Sequence, residues 1–163
     1  MLDIAAPDYS GACVSNIVPA LLQHKEIGQG WIPNEILDAN QVVLLVLDGL
    51  GYKQFQRYKH LLPSLSQFHE NEISTVFPTT TSTALTSITT GSTPGEHGVV
   101  GYKIRVGTQT LNILRWTTES GPAHLDVEPE QFQPIIPING TNPTVVSPAA
   151  FVDGGFTSAH LRF

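Results

Sequence analysis

Cysteine is almost missing from this chain: Cys13 stands alone among 163 residues. An internal disulfide is excluded, and so is a cysteine-rich zinc site. Charged residues are scarce at 13%, while apolar residues make up 40%, the opposite of the balance found in disordered chains. So few charges go with much buried backbone, as in an α/β sheet covered on both faces. Positive charge is the scarcer sign. Eight Lys and Arg against 14 Asp and Glu leave a net charge of −6, so the basic footprint of a nucleic-acid binder is absent. Long hydrophobic runs are also lacking. The longest aliphatic run, VVLLVL at 42–47, is far too short to span a bilayer. The N-terminal MLDIAAPDYSGAC has neither the basic start nor the apolar core of a signal peptide. These absences lead to the expectation of a cytoplasmic protein with no nucleic-acid and no membrane partner. The length suits one domain with a sizeable core.

What is present alternates in period. Ile17, Ala20, Leu21 and Leu22 have mostly helical spacing, and residues 33–37 suggest a short helical turn. VVLLVL is continuous, partly β-branched and stopped by Asp48-Gly49, which predicts a fully buried strand. Helices are expected over 52–58 and 61–70, with Pro63 in the first turn of the second. EISTVF at 72–77 alternates as a strand does. Strand, helix, strand is the unit of a parallel sheet. A hairpin is expected around Gly107-Thr108, a Pro-rich surface loop over 125–142 and a further buried strand at 143–147.

Between Thr79 and Thr93, eleven of fifteen residues are Ser or Thr. A flexible stalk would mix Pro, Gly or charge through such a run. Here Thr81, Ala84, Leu85 and Ile88 fall at i, i+3, i+4 and i+7, so the run is expected to fold as a helix with that face buried, ending at Gly91. A helix starting near Thr81 offers free N–H groups and a positive dipole end, both suited to an anion such as phosphate. Thr81 has two readings at this point, a helix cap or a nucleophile, and as a nucleophile it needs a base or a metal beside it.

Asp48, at the carboxyl end of the expected strand, has two readings too. It can be a hard oxygen ligand facing the crevice beyond the sheet, or the opening residue of a turn. GLGYKQ after that strand is a partial dinucleotide fingerprint with Gln54 where the third glycine belongs. It keeps open the alternative of a nucleotide-binding α/β domain without hydrolytic activity. His97, in PGEHG, reads better as a turn fastener than as a metal ligand, because no second His or Asp stands at ligand spacing.

The order VVLLVLDGLG, then VFPTTTSTALTSITTG, then STPGEHGVVGY resembles the alkaline-phosphatase superfamily, and within it the type I phosphodiesterase/nucleotide pyrophosphatase family. LNILRW and TVVSPAAFVDGGFTSAHL are similar to the bacterial branch. The resemblance implies an α/β alkaline-phosphatase-like core with a mainly parallel sheet between helices. It implies a hydrolase of phosphoric esters that acts through a phospho-threonine, on a small-molecule phosphate ester or nucleotide. It also implies two divalent metal ions of the zinc type, with Asp48 on the first metal-binding Asp and Thr81 on the nucleophile that also touches a metal. The later Asp-x-x-x-His and Asp-His ligands of the family do not occur in this sequence. The expectation is therefore that residues 1–163 are the N-terminal part of a single catalytic domain whose C-terminal part is missing, inactive as they stand.

Overall fold

The fold is given by a computed structural model, which describes residues 6–22 and 24–162. Among the described residues, eight short α-helices and one small sheet follow one another: α1 (Ile17–Leu22), α2 (Lys25–Gly28), α3 (Asn34–Leu37), α4 (Tyr52–Tyr58), α5 (Thr81–Thr90), α6 (Pro94–His97), β1 (Lys103–Val106), β2 (Gln109–Asn112), β3 (Thr117–Thr118), β4 (Gly121–Pro122), α7 (Pro129–Phe132) and α8 (Gly155–His160). The class is mixed α and β. The sheet is an antiparallel meander in the order β1-β2-β3-β4, with Lys103 opposite Asn112 and Val106 opposite Gln109. The turn between β1 and β2 is the expected Gly107-Thr108 hairpin.

The expected parallel sheet is not formed among the described residues. Segments 42–47, 72–77 and 143–147 lie outside the sheet, and parallel pairing is limited to one bridge, Cys13 with Ser74. The reason is physical. A strand buried on both faces needs neighbours at both edges and a layer on each side, and nothing here supplies them to 42–47. Val43 is 88% exposed and Leu45 70%. The helix expected over 61–70 is also replaced, by two 3₁₀ turns at Lys59–Leu61 and Leu65–Gln67. Pro63 between them has no N–H to continue the first turn.

The core lies under the meander. Leu111 and Ile113 point inward from β2 and its exit, and meet Val99, Trp116, Ala123, Phe156 and Ala159, with Leu85 of α5 and Phe132 of α7 packed against the cluster. Trp116 is the pivot. Its indole N–H donates to the Val127 carbonyl at 2.8 Å, and its ring meets Phe132 edge-on at 5.6 Å. A tryptophan can be buried whole only when that N–H finds a partner. α5 leans on this core through Leu85, and it carries the candidate site at its first residue.

Candidate functional site

α5 starts and stops where local chemistry directs. Thr80, extended at φ −119° and ψ 152°, precedes it, and Gly91 closes it in the left-handed conformation at φ +66°. A Cβ on Gly91 would lie 2.5 Å from Pro19 Cγ, so glycine is required there for space as well as for φ. The side chain of Thr80 makes no capping bond to the helix and instead pairs with Thr83 Oγ1 at 3.0 Å. The positive end of the helix is thus not neutralised by its own cap, an arrangement suited to an anion.

The buried face of α5 differs from the expected one. Ser82, Thr83, Thr86, Ser87 and Ile88 are buried, while Ala84 is only half-buried. The hydroxyls tolerate burial because each finds a hydrogen-bond partner. Thr86 donates to Ser82 O at 2.7 Å, Thr90 to Thr86 O at 2.6 Å, and Ser82 to Gly101 O at 3.0 Å. Most of these bonds run back along the helix or into the adjoining chain, and a hydroxyl satisfied in this way can replace an apolar group inside.

Thr81, half-buried at the start of α5, and Asp48, exposed in the turn after 42–47, are brought together. Thr81 Oγ1 donates to Asp48 Oδ2 at 3.0 Å. The Asp48-Gly49 turn is closed by Leu50 N–H to Leu47 O at 3.2 Å. Asp48 therefore opens a turn and also reaches the hydroxyl, so its two readings coexist. A carboxylate accepting this bond fixes the hydroxyl rotor and leaves a lone pair of the threonine oxygen directed elsewhere.

His97 does not join this pair. It is 1% exposed, and its Nε2 bonds Ser87 Oγ at 2.8 Å while Val99 N–H donates to its Nδ1 at 3.0 Å. Burial pushes its pKa down to about 4, against the opposing pull of the Glu96 carboxylate. It is a neutral fastener of the turn, as its sequence context suggested. Glu96 and Thr93 form a capping box on α6, and the Thr93 N–H and hydroxyl hold the Glu96 carboxyl below its usual range. Sequence reading missed the partners of His97 because Ser87 and Val99 carry no signal of their own.

GLGYKQ does not form a strand-turn-helix. Gly51 precedes α4, a helix of seven residues, but the segment before it pairs with nothing in the sheet. Metal donors are also few. Among the described residues, no group of three or more His, Cys, Asp or Glu side chains lies together as a metal centre requires. Asp48 and Thr81 offer one carboxylate and one hydroxyl, so these residues alone do not close a metal site. Among the described residues no helix is long and apolar enough to cross a membrane.

A family model described as type I phosphodiesterase / nucleotide pyrophosphatase matches residues 42–159, most of the chain and all of the pair just described. No curated protein and no solved structure matches it.

Proposed function

The chain belongs to the type I phosphodiesterase / nucleotide pyrophosphatase family, and we propose that it is the N-terminal part of a longer catalytic domain that forms a phospho-threonine at Thr81. The family acts on phosphoric esters, so the coarse activity is hydrolysis of such esters. The observation that carries the finer reading is the 3.0 Å bond from the Thr81 hydroxyl to Asp48 at an uncapped helix start. The threonine oxygen adds to phosphorus, and the bond from phosphorus to the leaving oxygen breaks. The hydroxyl proton has to leave as the new bond forms, and Asp48 Oδ2 is the group that already receives it in a hydrogen bond. Water then cleaves the phospho-threonine and restores the hydroxyl. The first N–H groups of α5 face the negative charge that gathers on the phosphoryl oxygens.

The proposed cofactor is a pair of divalent ions of the zinc type, with Asp48 and Thr81 contributing two oxygens and the remaining ligands on chain beyond residue 163. The exposed apolar segments 42–47 and 143–147 support the same domain reading, since both have strand composition and neither has a sheet to join here. The proposed substrate is a small-molecule phosphate ester or nucleotide, handled by a cytoplasmic enzyme. A net charge of −6 disfavours a polyanion such as DNA or RNA.

The test is Thr81→Ala in the complete protein, supplied with zinc and a nitrophenyl phosphodiester. A loss on the order of a thousandfold in turnover is expected, and undiminished turnover sinks the assignment. Residues 1–163 alone are expected to show no zinc-dependent turnover.

A further inference from the structure

Two serines of α5 hold one short stretch of chain. Ser82 Oγ donates to Gly101 O at 3.0 Å, and Ser87 Oγ meets His97 Nε2 at 2.8 Å. The direction of the second bond follows from Val99. Its N–H donates to His97 Nδ1, so Nδ1 carries the lone pair and the ring proton sits on Nε2, which donates to Ser87. Ser82 and Ser87 are both fully buried and His97 is 1% exposed, so water cannot substitute for either partner at low cost.

Five residues of helix separate the two fastenings, about 7.5 Å along the axis and roughly 140° around it. A helix held at two heights and two azimuths cannot roll or slide without breaking a buried bond. Ser82 is also the chain neighbour of Thr81, whose hydroxyl reaches Asp48 from the first turn. A roll of one residue, about 100°, would swing that hydroxyl away from the carboxylate.

We propose that Ser82, Ser87 and His97 are positioning residues for Thr81, a two-point clamp that fixes the azimuth of α5 and so aims the threonine oxygen. None of them touches the reacting atoms. The inference rests on Thr81 being the nucleophile.

Two substitutions of His97 separate its two bonds. Asn places an oxygen near the position of Nδ1 and keeps an acceptor for Val99 N–H, but it loses Ser87. Gln places an amide nitrogen near the position of Nε2 and keeps the donor to Ser87. In the complete protein with zinc and a nitrophenyl phosphodiester, His97→Asn and Ser87→Ala are expected to lower kcat on the order of tenfold or more. KM should change less than about twofold, since ground-state binding is untouched. His97→Gln should restore most of kcat, and combining His97→Asn with Ser87→Ala should cost no more than either alone. Equal kcat in His97→Asn and the wild type overturns the proposal, as does an equal loss in the Asn and Gln variants, or a change confined to KM. If the His97 variants do not fold, Ser87→Ala alone decides, with a thermal melt as control. Thr81→Ala is measured alongside. Full activity there removes the nucleophile and the clamp with it. An inactive Thr81→Ala beside an undiminished Ser87→Ala removes only the clamp.

Discussion

Thr81 and Asp48 stand 33 positions apart in the sequence and 3.0 Å apart in the fold, joined by a hydrogen bond from the hydroxyl to the carboxylate. Asp48→Asn keeps an oxygen that can accept this bond but removes the negative charge. If the carboxylate serves as a metal ligand, zinc affinity of the complete protein should fall on the order of tenfold or more, with a parallel loss of turnover. Calorimetric zinc titration of the two proteins measures this. An unchanged affinity would assign Asp48 to the turn and the hydroxyl alone.

Stability should depend on pH between the ordinary histidine range and about pH 4. Burial holds His97 and His160 neutral, each with its pKa pushed down to about 4. His160 also stacks on Phe156 at 4.0 Å, and its Nδ1–H donates to the Phe156 carbonyl. In the unfolded chain both take up a proton near pH ~6.5. Between these values the unfolded state binds more protons, so stability rises with pH across that window. It is fully present above about pH 6.5 and is lost as pH falls toward 4, by up to about 3 kcal/mol for each histidine. The lowered carboxyls of Glu96 and Glu119 contribute at lower pH, below the ordinary range of a glutamate. Thermal melts from pH 7 to 5 therefore isolate the histidines. A midpoint that does not move over that interval would show that both titrate normally.

Gly155 allows Trp116 to sit where it does. A Cβ at position 155 would lie 2.2 Å from Trp116 Cγ, inside the ring's own volume. Gly155→Ala should therefore force the indole or α8 to move and destabilise the chain by about 1–3 kcal/mol. Urea denaturation followed by tryptophan emission gives the number. A wild-type midpoint would mean that α8 shifts freely, contrary to its packing against the core.

Hydrogen exchange should separate two kinds of backbone. Amides in α5 are expected to be protected. Those of 42–47, which lie outside the sheet with Val43 and Leu45 largely exposed, are expected to exchange fast in residues 1–163. In the complete protein the same amides should become protected, because the domain reading gives them sheet neighbours. Fast exchange of 42–47 in both would count against that reading.

The contrast between these segments explains how much the sequence disclosed. α5 was legible, expected to start near Thr81 and end at Gly91, because helix signals are local. The hairpin at Gly107-Thr108 was legible for the same reason. The nearness of Asp48 and Thr81 was implied by the family resemblance, which puts both at one metal site. Strands at 42–47, 72–77 and 143–147 were read from apolar runs or alternation, but a ladder is made with distant chain, and a local pattern does not say whether that chain is at hand. Periodicity also misjudged the inward face of α5. It put Thr81, Ala84, Leu85 and Ile88 on the inward face and left out Ser82, Thr83, Thr86 and Ser87, since hydropathy does not anticipate that buried hydroxyls find partners such as Ser82 O, Gly101 O and His97 Nε2.

Four of the five buried residues on α5 carry a hydroxyl. Contact between greasy surfaces is nearly indifferent to small displacements, since dispersion has no preferred angle. Hydrogen bonds do have one, and they weaken steeply when bent. The α5 contacts thus behave less like a lubricated bearing than like teeth, with a few allowed seatings and gaps between them. Ser82 and Ser87 are the ones that bond outside the helix, and replacing Ser87 with Ala would remove a tooth. Drift would be possible where none was before, and the oxygen at the tip of the helix would be the first atom to register it.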